Sequence, residues 1–189
     1  KEVRINDEKP SSIKSNEDIL RMALRKRIQL STAYKSLGKN INPLMLIQIP
    51  NKRANDVINP EDEIIEFLSK EGLNIQNGKV ALWLSDDHRN KEEIELDDSP
   101  VDVLIFKEAI ALGWDCPRAS ILFLQREWNN ERYEFNIQTL GRIMRMPEQV
   151  HYDDKPELNY GYVYTASDNF TIVEDLAKDY VSQQRLTID

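Results

Sequence analysis

The stretch QTLGRIMRMPE, residues 138–148, places two arginines three positions apart, at Arg142 and Arg145. Residues i and i+3 lie on one face of a helix, so the two guanidinium groups are expected side by side. Two adjacent positive charges repel each other unless an anion faces them. Guanidinium groups hold phosphate or carboxylate oxygens through paired hydrogen bonds. The spacing therefore predicts a site for a negative group at this point of the chain.

Gln138 and Gly141 precede the arginines on the same predicted helical stripe, in the pattern Q-x-x-G-R-x-x-R. A glycine inside a helix costs roughly 1 kcal/mol relative to alanine, so its presence predicts that something packs closely over that turn. The pattern has two interpretations. The arginines meet an anion whose charge develops during a reaction, or Glu131, Glu134 or another neighbouring acid neutralises them.

A second segment, VDVLIFKEAIALGWDCPRASILFLQ (residues 101–125), reads as strand, loop and strand. Its loop contains Gly113, Trp114 and Asp115. A glycine allows close approach of a ligand to the backbone. Asp115, at the entrance of the second strand, can bind a ribose hydroxyl or orient one of the arginines. This second segment favours a ligand site over simple neutralisation.

Several other kinds of site are excluded or disfavoured. The chain has no G-x-x-x-x-G-K-[ST] phosphate loop, because SLGKN has Asn40 where the hydroxyl residue belongs. Without such a loop, the acids that end VALWLSDDH are expected to enter solvent rather than hold Mg²⁺. His88 and His151 lack the spacing of a zinc pair. The single Cys116 excludes an internal disulfide and is expected to be a packed residue rather than a nucleophile.

Composition and charge indicate a globular protein outside the membrane. The net charge is −8, and it is uneven: residues 1–60 carry 12 basic and 6 acidic side chains, whereas residues 61–189 carry 13 and 27. This balance argues against a purely electrostatic DNA clamp but allows a few placed groups to grip a phosphate backbone. No membrane span or signal peptide is visible, so a cytoplasmic location is expected, and the start without Met suggests an excised fragment.

The order of predicted elements indicates an α/β fold. Short apolar strands alternate with helices or long connections, which implies a mostly parallel sheet covered on both faces, with ligands at the carboxyl ends of the strands. Residues 1–10 are expected to be frayed, residues 86–100 to form an acidic, mobile connection, and the basic stripe of the first helix to be either solvated or a contact surface. The strands are predicted at 44–49, 79–85, 101–106, 119–125 and 160–165, and the helices at 15–37, 59–72, 131–145 and 167–184.

QTLGRIMR resembles motif VI of superfamily-two helicases and translocases, and KEAIALGWDCPRA resembles their motif V. Common members carry an aliphatic residue where Trp114 stands. The form G-W-D-C-P-R-A, followed by RIMRMPE, is similar to the Res subunit of type III restriction enzymes, and LMLIQIPNKRAND then corresponds to motif IV. The resemblance covers about residues 40–165. It implies that residues 40–189 form a three-layer RecA-like domain, the second of a two-domain motor, preceded by a helical segment at 1–39.

The resemblance also implies roles for the site residues. Arg142 and Arg145 would be arginine fingers that reach ATP and Mg²⁺ bound mainly on the first RecA-like domain of the same chain. Gln138 would position the attacking water or the γ-phosphate. The other nucleotide contacts implied are Gly113, Asp115 and Gly141.

For nucleic acid, the resemblance implies contacts to the DNA backbone from Lys107 and Glu108 in motif V and from Lys52 in motif IV. Common helicases begin motif V with a threonine-led sequence instead. The implied protein translocates on double-stranded DNA, a methylation (Mod) subunit recognises the site, and a separate C-terminal domain is the endonuclease. No nuclease signature is present in this chain, so this stretch is expected neither to cut DNA nor to hydrolyse ATP alone.

Two alternatives remain open, one within the same superfamily and one from another class. The first is a DNA or RNA helicase of superfamily two outside restriction, against which Trp114 and the C-P-R-A sequence argue. The second is a non-catalytic nucleic-acid-binding module that kept the fold, against which the intact arginine pair argues.

Overall fold

The computed structural model describes residues 1–8, 15–51, 59–85, 87–107, 114–128 and 132–186. A short 3-10 helix at Pro156–Asn159 precedes the last strand. The strands are β1 (Glu2–Ile5), β2 (Leu44–Gln48), β3 (Val80–Trp83), β4 (His88–Arg89), β5 (Val103–Phe106), β6 (Ala119–Leu124) and β7 (Tyr160–Thr165), and the helices are α1 (Asn16–Ser36), α2 (Pro60–Lys70), α3 (Tyr133–Ile143) and α4 (Ser167–Leu186).

The seven strands form one sheet in the order β1-β7-β6-β2-β5-β3-β4. Neighbouring strands are parallel except for β3 and β4. Successive residues of a strand face opposite sides: Met45 and Ile47 lie in one core cluster with residues of α1 and α2, whereas Leu46 lies in the other with residues of α3 and α4. Both faces are covered, which is why the strands are apolar throughout. The predicted three-layer, mostly parallel α/β fold of RecA-like type is confirmed.

The amino-terminal residues form an edge strand, so the prediction that residues 1–10 are frayed is wrong for Glu2–Ile5. Strand β1 pairs in parallel with β7, from Glu2 opposite Tyr160 to Ile5 opposite Val163. Val3 and Ile5 pack against the core, while the guanidinium of Arg4 lies 3.8 Å from the centre of the Tyr160 ring. An edge strand that is only half covered carries polar residues at alternate positions, and its sequence therefore resembles a loop.

Helix α1 begins and ends where its sequence predicts. The hydroxyl of Ser15 accepts a hydrogen bond from the backbone N–H of Asp18 at 3.1 Å, which satisfies one of the unpaired N–H groups of the first turn. After the helix, Gly38 adopts a φ of +69°, a conformation that glycine takes without strain. None of the helices within the described ranges is both long and apolar enough to cross a bilayer.

The basic stripe of α1 is largely paired with carboxylates of the same chain. The amino group of Lys26 lies 2.9 Å from Asp7, and Arg27 is bonded to Asp102 in the interior. Arg21, nearer the surface, lies 3.2 Å from a carboxylate oxygen of Glu71. These pairs connect α1 to neighbouring elements, so these three positive charges serve the fold rather than an open phosphate-binding face.

The connection after β3 is anchored to the core over its described part, residues 87–100. Strand β4 pairs with the end of β3, and Ile94 is fully buried although acids surround it in sequence. The backbone carbonyl of Ile94 accepts a hydrogen bond from Nε of the fully buried Arg118 at 2.8 Å. These contacts help to hold this acidic segment against the sheet, and the expectation of a loose connection is wrong there.

Candidate functional site

Helix α3 carries the two arginines to the amino edge of the sheet, where the parallel strands begin. The helix follows β6 and ends beside the start of β7. A Cβ atom on Gly161 would lie 2.8 Å from the carbonyl oxygen of Ile143, so glycine permits this close approach. The helix ends at Ile143, two residues earlier than predicted. Arg142 therefore projects from the last helical turn, whereas Arg145 lies just beyond it.

The glycine of the motif is explained by packing within the chain. A Cβ atom added to Gly141 would lie 2.9 Å from a ring carbon of Tyr180 on α4. The expectation that something packs closely over this turn is confirmed, and the group that does so is an aromatic side chain. A contact between Gly141 and nucleotide stays a prediction. Gln138 is exposed on α3, one turn before Arg142.

Arg142 is half-buried against Trp114. Its Nη1 donates a hydrogen bond to the Trp114 carbonyl at 2.5 Å, and its guanidinium carbon lies 5.5 Å from the centre of the indole ring. Burial lowers the pKa of Arg142, and the positive charge of Arg145 lowers it further, while Asp115 opposes the shift. A guanidinium starts from so high a pKa that it stays protonated, so Arg142 is a fixed positive charge at the site.

Arg145 forms an ion pair with Asp115, the residue that follows Trp114. Of the two roles predicted for Asp115, contact with an arginine is therefore present. Both side chains are well exposed, at 47% and 59% of their accessible surface. An exposed pair of this kind contributes at most about 1 kcal/mol, so a ligand anion is able to replace the carboxylate.

The two arginines thus meet consecutive residues of the second segment. Arg142 contacts the backbone and ring of Trp114, and Arg145 contacts the side chain of Asp115. The sequence linked the two segments through a possible contact of Asp115 with an arginine and through the resemblance, and the structure brings them together. Gly113, also predicted for this site, lies outside the described residues.

A cleft of about 740 Å³ opens beside Arg145 and Asp115. Its walls also include Lys1, Met146 and Tyr160, so both charged and apolar side chains line it. These residues lie at or near the amino ends of β1, β6 and β7. The sequence predicted ligands at the carboxyl ends of the strands, whereas the arginine pair lies at the amino edge of the sheet. The reason is that α3 returns along the sheet before it ends.

The predicted nucleic-acid contact Lys107 lies at the opposite, carboxyl edge of the sheet. Its amino group is 3.1 Å from a carboxylate oxygen of Glu61 at the start of α2. Its backbone carbonyl accepts a hydrogen bond from Arg126 at 3.0 Å. The other two predicted contacts, Lys52 and Glu108, lie outside the described residues. The predicted site residues therefore belong to two separate edges.

Two further residues of this architecture, Gln48 and Glu95, were missed by the sequence reasoning. Gln48 is fully buried at the end of β2, and its side-chain oxygen accepts a hydrogen bond from the Trp128 indole at 2.7 Å. A glutamine inside an apolar strand is a signal that could have identified Gln48. At the arginine site, Glu95 accepts a hydrogen bond from the Trp114 indole at 2.7 Å. Glu95 stands in an acidic run, where nothing distinguished it from its neighbours.

The sites that the sequence disfavoured have ordinary partners. Asp87 is held by Arg89 through two hydrogen bonds of 2.8 and 2.6 Å, and Asp86 lies outside the described residues. Cys116 is buried, and its sulfur lies 3.6 Å from the carbonyl of Ile94. Burial raises the pKa of the Cys116 thiol to about 11, so the thiol is protonated at neutral pH. The expectation that Cys116 is a packed residue is confirmed.

Replacement of Cys116 by serine in the parent protein is expected to leave ATPase activity within about twofold of the parent. The thiol is protonated and packed, and the serine side chain is smaller than the cysteine side chain, so it fits the same space. The measurement is steady-state phosphate release with saturating ATP and duplex DNA, beside a melting curve. Loss of activity in a variant that melts at the parental temperature would place Cys116 in the reaction.

Comparison of the chain with models of known protein families finds no match, and comparison with curated proteins finds none either.

Proposed function

We propose that this chain is the second RecA-like motor domain of an ATP-dependent translocase on double-stranded DNA, of the kind found in the Res subunit of type III restriction enzymes. One observation carries the proposal. Two segments that resemble motifs V and VI meet at one edge of the sheet, where Trp114 and Asp115 contact the arginine pair beside an open cleft. A purely structural pair would not need an accessible position at the rim of a cleft.

The residues present fit the outer phosphates of ATP. Arg142 is a half-buried positive charge held in place, and Arg145 is an accessible one whose ion-pair partner among the described residues is an exposed carboxylate. ATP would supply a γ-phosphoryl group for transfer to water. In this proposal Arg145 exchanges Asp115 for a phosphate oxygen, Gln138 orients the attacking water, and Asp115 becomes available to a ribose hydroxyl. The inner phosphates and Mg²⁺ are assigned to the first RecA-like domain, because this chain has no phosphate loop.

DNA is assigned to the other edge. Lys107, together with Lys52 and Glu108, would contact the sugar-phosphate backbone, which carries little sequence information. Nucleotide and DNA would then bind at opposite ends of the same parallel strands. Closure of the two motor domains around ATP is therefore able to change the contacts with the DNA backbone. Recognition of the DNA sequence is assigned to a methylation subunit, cleavage to a separate endonuclease domain, and the whole enzyme to the cytoplasm.

The chain alone is expected to be a folded monomer without ATPase activity. It offers arginines to a nucleotide but has no loop that cradles the inner phosphates. The measurement is phosphate release by the purified chain, with and without duplex DNA, next to the parent protein at equal concentration. The two-domain proposal would be contradicted if ATPase activity co-purified with the chain through successive columns at the same rate per molecule as in the parent protein.

A further inference from the structure

Trp114 does more than fill the core, because one residue contacts Arg142 in two ways. The carbonyl oxygen of Trp114 accepts a hydrogen bond from Arg142 Nη1, and its indole face lies 5.5 Å from the guanidinium carbon. The hydrogen bond fixes one end of the planar group, and the ring restricts its tilt. A guanidinium held at two points has few orientations left.

Trp114 is itself held on two sides. Its indole N–H donates to Oε1 of Glu95 at 2.7 Å, and its ring meets Trp83 edge to face with centroids 5.9 Å apart. Only 7% of the residue is exposed. Glu95 is at the surface, so the hydrogen bond fixes the orientation of the ring from outside the core. The chain of contacts runs from Glu95 through Trp114 to Arg142.

We infer that Trp114, oriented by Glu95, is a positioning residue that aims Arg142 at the site where phosphate charge develops. This inference rests on the proposed function, because it gives Arg142 the role of an arginine finger. It adds two residues to which no role was assigned: Glu95 and Trp114. Trp114 stands where common superfamily-two helicases carry an aliphatic side chain. An aliphatic residue offers Arg142 the same carbonyl but neither the aromatic face nor a hydrogen bond to Glu95.

The first test compares Trp114→Phe and Trp114→Leu in the parent protein, with ATP as substrate and duplex DNA present. Phenylalanine keeps an aromatic face and loses the bond to Glu95, so kcat is expected to fall about tenfold; leucine loses both, and kcat is expected to fall about a hundredfold. The KM for ATP is expected to change less than about threefold, since the aim of Arg142 matters most in the transition state. Parental kcat in both variants would overturn the inference.

A surface variant tests the same chain of contacts without touching the core. Glu95→Ala removes the acceptor for the indole N–H and is expected to lower kcat about fivefold at an unchanged melting temperature. Glu95→Gln keeps an acceptor oxygen and is expected to recover most of that loss. Equal kcat for the alanine variant and the parent would overturn the role of Glu95, and this variant decides the question if the Trp114 variants fail to fold.

A double-variant cycle separates positioning from a general structural role. If Trp114 acts through Arg142, then Trp114→Phe added to Arg142→Ala is expected to cause no further loss in single-turnover ATP hydrolysis. If Trp114→Phe lowers the rate by the same factor in the parent protein and in Arg142→Ala, then Trp114 acts elsewhere and the inference is overturned. Cys116→Ser, in the same buried segment, is the packing control. If Arg142→Ala itself keeps the parental rate, the proposed function is wrong. That result differs from one in which Arg142→Ala is inactive but the positioning role of Trp114 is not supported.

Discussion

Arg142→Ala and Arg145→Ala, each made in the parent protein, are expected to lower DNA-stimulated ATPase about a thousandfold. Arginine fingers contribute this much because they meet charge that develops in the transition state. The fold is expected to survive both changes. Arg145 is well exposed and, within the part of the chain that the structure describes, forms its ion pair with Asp115; the half-buried Arg142 contacts Trp114 through a hydrogen bond and its ring. ATP is expected still to bind, and DNA binding without nucleotide to be nearly unchanged.

Lysine at either position distinguishes geometry from charge. A single ammonium cannot reproduce the planar fork of donors, so Arg142→Lys and Arg145→Lys are expected to recover little activity. The measurements are phosphate release, nucleotide affinity and melting temperature for all four variants. Arg25→Ala, at an exposed position of α1, is a matched control for loss of one positive charge. Alanine variants that lose several degrees of stability but keep near-parental ATPase would make the pair a structural contact, with Asp115 as its anion.

Arg118→Ala, in contrast, is expected to lower the stability of the fold strongly. The side chain is fully buried although it lies in the stretch that resembles motif V. Its Nε donates to the Ile94 carbonyl, and its Nη1 donates to the carbonyls of Asn42 and Val101 at 2.7 and 3.0 Å. Truncation leaves buried acceptors without this donor and opens a cavity. The free energy of unfolding is therefore expected to fall by about 3–5 kcal/mol.

The measurement is urea denaturation of the chain, followed by circular dichroism, with Arg25→Ala as the exposed control. A surface change of this kind is expected to shift the free energy of unfolding by less than about 0.5 kcal/mol. Because Arg118 joins its own segment to Asn42 and to the connection that contains Ile94 and Val101, conservative replacement by lysine is expected to recover only part of the loss. An Arg118→Ala variant with parental stability and no ATPase activity would instead assign Arg118 to the reaction.

The sequence by itself determined the fold class and most of the helices and strands. Strands such as β2 are apolar on both faces, and only a sheet covered on both sides accounts for that pattern. The ends of α1 follow from Ser15 and from the glycine after the helix, because capping is decided by a few adjacent residues. The two segments of the arginine site were likewise recognisable, since each is a contiguous stretch with its own pattern.

Only the tertiary structure decided which residues meet. Asp115 rather than Glu134 of the same helix faces Arg145, Tyr180 covers Gly141, and the site opens at the amino edge of the sheet. The same holds for Glu95, which reaches the indole of Trp114 from 19 residues away, and for Arg118, which reaches the carbonyl of Asn42 from 76. The physical reason is that periodicity and capping act over a few residues. The partner of a buried or half-buried charge is set by how helices return across the sheet, which no local pattern encodes.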